Sequence, residues 1–389
     1  MSLKEEAAAL APALRGIFCT IHQHPELGCG EHQTAALIRR RLEELGIPFT
    51  PLADTGTVAV IQGSAPGRTI GFRADIDALP ITEDTGLPYA SQHPGVMHAC
   101  GHDLHTAALL GAGELLWKRR EELCGTVKLF FQPDEEGDGG ASRMIAGGCM
   151  EGVDAMLCCH VDSIIPTGTL ATRPGPVCAA SNPFTIVLRG RGSHGAKPHL
   201  GADVIAAGAQ IVTALQTISS RRVAPTDPVV VTVGSFQAGT AGNVLPETAL
   251  LKGMIRTMSA RTREQVKADF TSIASGIASA MGVEAEISLT DGYPCCHNDP
   301  GMNALVMAAG AKILGAENVL EQKAPSLGTD DFGYFSALVP GCYYYIGVGN
   351  KAKGWTFPNH NPHFVVDPEA LPLAAAVEAQ AALDYLSEK

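Results

Sequence analysis

The chain of 389 residues is long enough for two domains of ordinary size, and a hydrophobic content of 46% suffices for sizeable cores. The formal net charge of −12, from 28 basic and 40 acidic residues, disfavours nucleic acid or an anionic membrane as a partner, because neither would be attracted. No apolar run approaches the roughly 20 residues of a membrane span, and no signal-peptide pattern opens the sequence. Eleven scattered cysteines do not resemble a secreted disulfide scaffold, so we expect a cytoplasmic protein with mostly buried thiols.

Helical and strand patterns alternate through the first 160 residues. The pattern predicts a helical region over residues 4–47, with Gly46 as its stop signal. It then predicts strands at 58–61, 69–74, 126–131 and 155–159, and helices at 104–122 and 139–147. This alternation is typical of an α/β fold, in which helices cover a parallel or mixed sheet.

From about residue 181 the order of elements changes to strand, helix, two strands, helix and strand. The predicted segments are 183–189, 201–220, 229–236, 248–257, 262–281 and 283–289. This β-α-β-β-α-β order is that of a ferredoxin-like α+β domain. A helix at 300–315, a strand at 343–348 and a helix at 368–386 follow it. We therefore expect a discontinuous catalytic domain of residues 1–180 and 295–389, interrupted by an inserted domain of residues 181–294.

Polar residues of the first domain follow or end its predicted strands. Asp75 ends one strand, Glu135 and Glu136 follow another, His160 ends a third, and His360 lies in the loop after a fourth. Ligands of open α/β sheets bind beyond the carboxyl ends of the strands. We therefore expect these side chains, distant in sequence, to meet in one crevice.

The segment Met97–Ala107 contains one thiol, three imidazoles and a carboxylate. Cys100 and His102 flank a glycine, so both can reach one ion from a loop that leads into a helix. Glu135 and Glu136 are adjacent on an irregular segment, where one can bind a metal and the other can hold a water and shuttle its proton. The pattern predicts metal-assisted hydrolysis. A buried thiol, a capping histidine and an exposed acidic turn are the alternative interpretation.

Other candidates are less distinctive. A lone histidine at a strand end, such as His160, is more often structural, and the residues alone do not choose between His360 and His363. In the inserted domain, a glycine-rich hairpin presents His194. Further along it, Asn243 and Arg256 are suited to clamp a substrate carboxylate, because a guanidinium binds a carboxylate bidentately. A surface strand charge is the alternative for the arginine.

Together these motifs resemble the amidohydrolase branch of the M20 metallopeptidase family, which includes aminoacylase-like, hippurate and indole-acetyl-amino-acid hydrolases. The matching segments are Arg73–Pro80, Met97–Ala107, Phe131–Gly137, His160–Val161, Gly190–His199, Asn243–Pro246, Thr329–Phe332 and His360–Phe364. They span nearly the whole chain, and the Cys-Gly-His-Asp-x-His-Thr-Ala segment is the most specific. The resemblance implies a zinc-peptidase-like mixed sheet covered by helices, with the inserted ferredoxin-like domain as a lid and dimerisation domain.

The resemblance also implies a binuclear site. Cys100 would bridge two divalent metal ions, with His102 and His160 completing one site and Glu136 and His360 the other. The His-x-Pro-x-Phe spacing of the family selects His360 over His363. Zinc, nickel and cobalt suit this set of ligands, and manganese occurs in relatives.

The remaining roles follow from the same resemblance. Glu135 would act as general base and acid, and Asp75 would orient a metal-binding histidine. His194, from the same or a partner subunit, would stabilise the oxyanion, while Asn243 and Arg256 would face the substrate carboxylate. Departures from the usual pattern include Asp134 in place of a small residue, Cys159 before the histidine, Thr329-Asp330 in place of Ser-Glu, and a bulky loop at 354–358.

The function predicted on these grounds is hydrolysis of the amide bond of N-acyl amino acids by a homodimer or higher homo-oligomer. Three alternatives stay open at this point. The same metals would serve a dipeptidase or carboxypeptidase-type exopeptidase. The fold could also belong to a catalytically silent binding protein, or the thiols to a structural protein without metal.

Overall fold

The computed structural model describes residues 1–387. The helices are α1 (Leu3–Gln23), α2 (His32–Leu45), α3 (His102–Lys118), α4 (Gly140–Ala146), α5 (Val204–Leu215), α6 (Ala260–Ala280), α7 (Pro300–Leu314), α8 (Gly333–Ser336) and α9 (Ala370–Ser387). The strands are β1 (Phe49–Leu52), β2 (Gly56–Gln62), β3 (Ala65–Asp75), β4 (Cys124–Gln132), β5 (Ala155–Pro166), β6 (Leu170–Thr172), β7 (Gly175–Cys178), β8 (Ala180–Arg189), β9 (Ser193–His194), β10 (Val229–Ala238), β11 (Val244–Leu245), β12 (Thr248–Thr257), β13 (Glu284–Leu289), β14 (Cys296–Asn298), β15 (Val319–Glu321) and β16 (Gly341–Gly349).

The described chain divides into two units. The first comprises Met1–Val177, Cys296–Ala324 and the chain from Tyr334 onward, and the second comprises Cys178–Cys295 and Pro325–Gly333. No helix in the described part of the chain is long and apolar enough to cross a membrane. All eleven cysteines are free thiols, and seven of them, including Cys100, are buried.

An eight-stranded mixed sheet is the framework of the first unit, in the order β1-β2-β4-β3-β5-β16-β6-β15. Its four central strands, β4, β3, β5 and β16, are parallel to one another. Their carboxyl ends therefore lie at one edge of the sheet, which is where open α/β sheets bind ligands. This mixed sheet, with helices against it, confirms the predicted fold class.

Apolar side chains of α1, α2, α3, α7 and α9 join those of the sheet in one core. Helix α3 is buried from His102 through Leu116, so it has no solvent-facing side over that length. A helix that is buried on every side lies in the protein interior and is held by packing all round. The metal-binding candidates at its first turn consequently sit on a rigid support.

Two details of the first unit differ from the sequence prediction. The helical region predicted for residues 4–47 is wrong in its middle, because α1 ends at Gln23 and α2 begins only at His32. Pro25 disfavours a helical conformation at the residue before it, and His24 has φ −124° and ψ 58°. The strand predicted to end near Cys159 continues to Pro166, so His160 lies inside β5, opposite Tyr345 of β16.

The second unit contains an antiparallel four-stranded sheet in the order β10-β12-β8-β13, with α5 and α6 between its strands in the chain. This strand order confirms the predicted ferredoxin-like arrangement. Its own core includes Phe184 and Phe270, whose ring centroids are 4.6 Å apart. A separate two-stranded ribbon of β9 and β11 extends from it.

One buried carboxyl group stands out in the first unit. Glu378 of α9 is 2% exposed, and its Oε2 atom has no hydrogen-bond partner among the described residues. Burial raises the pKa of Glu378 from 4.5 to about 8. The folded protein therefore holds this proton in a pH range where the unfolded chain has released it.

Replacing Glu378 with glutamine should stabilise the protein in alkaline solution. Between about pH 4.5 and pH 8 the free energy of unfolding of the wild type falls, because only its unfolded state ionises at this position. Since each pKa unit is worth about 1.4 kcal/mol, the advantage of Glu378→Gln should grow by a few kcal/mol from acid to alkaline pH. Urea unfolding of both metal-free proteins at about pH 5 and about pH 9 measures it. A constant difference between the two proteins would contradict the assignment.

Candidate metal centre

A glycine places the thiol of Cys100 beside strand β5. Gly101, which precedes α3, has φ 85°, a left-handed conformation that other residues rarely adopt. A Cβ atom at this position would lie 2.4 Å from the Cγ2 atom of Val161. Only glycine fits this close approach, and it brings the Cys100 Sγ atom to 3.5 Å from the His160 Nε2 atom.

Cys100, His102 and Glu136 offer ligand atoms that all lie within 4.8 Å of one another. They come from the loop before α3, the first residue of α3 and the turn after β4, respectively. With His160 close to the thiol, four of the five predicted metal ligands converge at the carboxyl edge of the parallel strands.

His360 is the fifth. Its Nε2 atom lies 3.0 Å from Glu136 Oε1, and its backbone N–H donates to the Ala99 carbonyl at 2.8 Å, which ties its loop to the thiol segment. The rival His363 instead has its Nδ1 atom bonded to the Asp84 carbonyl and its ring against Phe357. The structure therefore brings His360, and not His363, to the other candidate ligands.

Asp77 fixes the orientation of two of these residues. The Nδ1 atom of His102 lies 2.9 Å from the Asp77 carbonyl and 3.1 Å from its Oδ1 atom, and the backbone N–H of Glu136 donates to its Oδ2 atom at 2.9 Å. A proton on Nδ1 leaves the Nε2 lone pair of His102 free for a metal. The sequence alone assigns the orienting role to Asp75, two residues earlier, and gives no sign that Asp77 takes it.

Asp75, to which the resemblance assigns the orienting of a metal-binding histidine, makes its shortest contacts with Arg73 and His105. Its Oδ2 atom accepts from Arg73 at 2.7 Å and its Oδ1 atom lies 2.5 Å from His105 Nδ1, whereas His102 Nε2 is 3.5 Å away. Asp75 is fully buried, which alone would raise its pKa, but the charge of Arg73 and the hydrogen bond from His105 hold the pKa well below its usual range. The acid that orients His102 is thus Asp77.

His160 is fixed in one tautomer by its own strand. Its Nδ1 atom lies 2.8 Å from the Val161 carbonyl, so Nδ1 carries the proton and Nε2 is left facing the thiol. Its ring stacks against Tyr343 at a centroid distance of 5.7 Å. Burial lowers the pKa of His160 well below its usual range, which keeps the ring neutral as a metal ligand requires.

The turn that carries Glu135 is shaped by its neighbour Asp134. Asp134 has φ 55°, and its carboxylate accepts from Arg143 at 2.9 Å. Its Oδ1 atom lies where a Cβ atom of Gly28 or Gly137 would otherwise be, within about 2.2 Å of either position. Glu135, which is 6% exposed, follows on this constrained turn.

The donor atoms suit a cation. Burial raises the pKa of the Cys100 thiol to about 12, and a bound cation would displace that proton. The Nε2 atom of His102 and the Oε1 atom of Glu136 are buried, and the polar atoms nearest to them belong to other candidate ligands or acids, His360 Nε2 at 3.0 Å from Glu136 and Asp75 Oδ2 at 3.5 Å from His102. A buried group of thiol, imidazole and carboxylate ligand atoms within 4.8 Å of one another is costly to desolvate, and a metal ion would compensate that cost. The residues therefore fit a site for divalent metals.

The predicted substrate residues lie in the second unit. His194 of β9 pairs with Val244 of β11, and the N–H of Gly195 donates to the Asn243 carbonyl at 2.7 Å, so His194 and Asn243 lie on one ribbon. Arg256 lies on β12, opposite Val230 and Ser181.

Arg256 is not an ordinary surface charge. Its Nη1 atom is buried and has no hydrogen-bond partner among the described residues. Burial lowers the pKa of Arg256 below its usual value. A half-buried guanidinium with an unused N–H is suited to an anion from outside the protein.

Comparison of the sequence with known proteins shows the family of the chain. Residues 71–384, which are most of the chain, match the profile of peptidase family M20/M25/M40. The chain belongs to this family and is a metal-dependent hydrolase of amide bonds.

Three relatives illustrate the range of the family. N-acetyl-L-cysteine deacetylase of Bacillus subtilis is 40% identical over 95% of this chain and 89% of its own. Thermostable carboxypeptidase 1 of Saccharolobus solfataricus is 38% identical over 94% and 93%. The crystal structure of the YXEP protein of Bacillus subtilis, described as a dinuclear metal-binding peptidase, is 36% identical, covers 97% of this chain and 99% of its own, and has a TM-score of 0.86.

Removing the Asp77 carboxylate should weaken metal binding. Asp77→Ala removes the acceptor of the Glu136 N–H and leaves His102 Nδ1 with only the Asp77 backbone carbonyl, and loss of such a carboxylate typically costs about 10- to 100-fold in metal affinity. Competition with a chromophoric chelator measures the affinity. Asp138→Ala, at an exposed acid two residues after Glu136, is the control and should bind as the wild type does. Equal affinity of both variants would contradict the assignment.

Proposed function

We propose that the enzyme hydrolyses N-acyl amino acids, with Cys100, His102, Glu136, His160 and His360 holding two divalent cations. The observation that carries the proposal is the convergence of these five side chains, one of which, Glu136, directly follows the buried Glu135 in the chain. Zinc, manganese, nickel or cobalt would be the cation. The deacetylase relative supports the choice of substrate class.

Bound divalent cations polarise a carbonyl oxygen and lower the pKa of water. Glu135 supplies the proton transfer. Its carboxylate takes a proton from the attacking water and returns it to the nitrogen of the leaving amine, a contribution typically worth about 10²- to 10⁴-fold. The hydrogen bond from the Glu136 N–H to Asp77 supports these assignments, because it fixes the backbone of the metal-binding glutamate, Glu136, and leaves the proton transfer to Glu135.

The second unit would supply the substrate contacts. We propose that His194 stabilises the oxyanion and that Asn243 and Arg256 bind the carboxylate of the amino acid. The buried, unused Nη1 atom of Arg256 supports this role. The assembly into a homo-oligomer, the lid role of this unit and the cytoplasmic location stay predictions of the sequence.

A carboxypeptidase is the second candidate, because one relative is named so. It would share the metals and the carboxylate clamp, and would differ in accepting peptides. A dipeptidase would also need an acid for the free amine of its substrate. Asp134 does not suit that role, since it is 4% exposed and its carboxylate is bound to Arg143. The other acid that could hold a free amine is Asp330, which is 3% exposed.

Glu135→Gln should keep the metals and lose turnover. The amide retains the size of the side chain but cannot accept a proton, so kcat should fall by at least about 100-fold. Steady-state assays on N-acetyl, N-benzoyl and indole-acetyl amino acids, with dipeptides alongside, measure turnover, and elemental analysis measures metal content. Glu121→Gln, at a glutamate whose side chain is 78% exposed, is the control. Unchanged turnover of Glu135→Gln would refute the role.

Arg256→Met should lower kcat/KM mainly for substrates that carry a carboxylate. Loss of a buried charge partner typically costs about 2 kcal/mol or more, so kcat/KM for an N-acyl amino acid should fall by about 10- to 100-fold. The matching N-acyl amino amide, which has no carboxylate, should be affected far less. Arg189→Met, at an exposed arginine of the same sheet, is the control. An equal loss on both substrates would argue against the clamp.

A further inference from the structure

His105 is a buried histidine to which neither the sequence nor the proposed chemistry gives a role. It is 2% exposed and lies one turn into α3, behind His102. Its Nδ1 atom lies 2.5 Å from Asp75 Oδ1, and its Nε2 atom accepts the N–H of Val161 at 2.9 Å. Because both ring nitrogens are engaged, His105 is not free to bind a metal, although it lies in a second cluster of potential ligands with Asp75, His102 and His160.

The contact with Val161 leads directly to a metal ligand. Val161 follows His160 in β5, and its carbonyl is the acceptor for the Nδ1 proton of His160 at 2.8 Å. The same residue thus receives a hydrogen bond from His160 through its carbonyl and donates one to His105 through its N–H. The position of this backbone determines where the Nε2 atom of His160 points.

On the Nδ1 side of His105, the contact with Asp75 is stabilised by a buried ion pair. Asp75 accepts from Arg73 Nη1 at 2.7 Å, and Arg73 Nε donates to Gln132 of β4 at 2.9 Å. All three side chains are at most 1% exposed. A buried, ionised carboxylate is a strong acceptor, so it selects the His105 tautomer that has its proton on Nδ1 and its lone pair toward β5.

We propose that His105 is a positioning residue for His160, acting through the backbone of Val161. This inference rests on the proposed metal centre. The two histidines of that centre are then held in different ways. His102 receives its carboxylate directly from Asp77, whereas His160 receives support from Asp75 through His105 and the strand. Hydrogen-bond partners behind a ligand fix its orientation and tune metal affinity.

Two substitutions test separately the two hydrogen bonds of His105, the one with Asp75 and the one with Val161. His105→Gln places an amide oxygen near the position of Nε2 and can still accept from Val161, whereas His105→Asn places an amide nitrogen near the position of Nδ1 and can still donate to Asp75. Each keeps one hydrogen bond and loses the other. If the contact with the strand positions His160, His105→Gln should retain metal affinity better than His105→Asn. His105→Ala should have the lowest metal affinity of the three variants, about 10- to 100-fold below that of the wild type.

The experiment is a cobalt titration of the metal-free protein, followed by the thiolate-to-cobalt absorption and by a competing chelator, with unfolding measured separately. His22→Asn is the control for a general loss of stability. His22 is also a buried histidine, bonded at 2.6 Å to Asp103, the acid that follows His102 in α3, but His22 lies on α1 and contacts no candidate ligand directly. We expect it to unfold more easily with an unchanged cobalt affinity and spectrum.

Wild-type cobalt affinity and absorption in His105→Ala would overturn the inference. So would equal affinities of His105→Gln and His105→Asn, or a loss of affinity in His22→Asn as large as in His105→Ala, since either result would indicate packing alone. A wild-type protein that binds cobalt without thiolate absorption would overturn the metal centre itself, and the inference with it.

Discussion

The close approach of the Gly101 turn to strand β5 is the constraint on which the metal centre depends. No side chain fits between this turn and Val161, so the backbone carries Cys100 to the strand that holds His160. The parallel arrangement of β3, β4, β5 and β16 brings the remaining donors to the same edge of the sheet. The parallel sheet therefore places the imidazole and carboxylate ligands at one edge, and Gly101 lets the Cys100 thiol lie next to them.

Buried carboxylates then determine which nitrogen of each histidine is available. Asp77 takes the Nδ1 side of His102, and Asp75 takes the Nδ1 side of His105. In a water-excluded interior these hydrogen bonds are strong, and an unpaired charge would be costly, so each acid has a defined partner. The charge of the buried Asp75 carboxylate is paired with the guanidinium of Arg73. The Nε2 atom of His102 is thereby left available for a cation, and that of His105 accepts from the strand that carries His160.

Much of this arrangement could be predicted from the sequence, because the Cys100–His102 spacing, the paired glutamates and the alternation of strands and helices are local patterns. The choice between Asp75 and Asp77 could not. Asp75 ends β3 and faces the same way as Arg73, whereas Asp77 lies past the strand, and only the tertiary structure shows which acid reaches His102. The extension of β5 beyond Cys159 likewise depends on pairing with β16, a distant strand.

The most direct test of the account is an anomalous-scattering crystal structure of the metal-loaded protein. The account predicts two peaks that share Cys100 Sγ as a ligand, one bonded to His102 and His160 and the other to Glu136 and His360. The absence of metal at Cys100, or a peak held by Asp75 and His105, would contradict it.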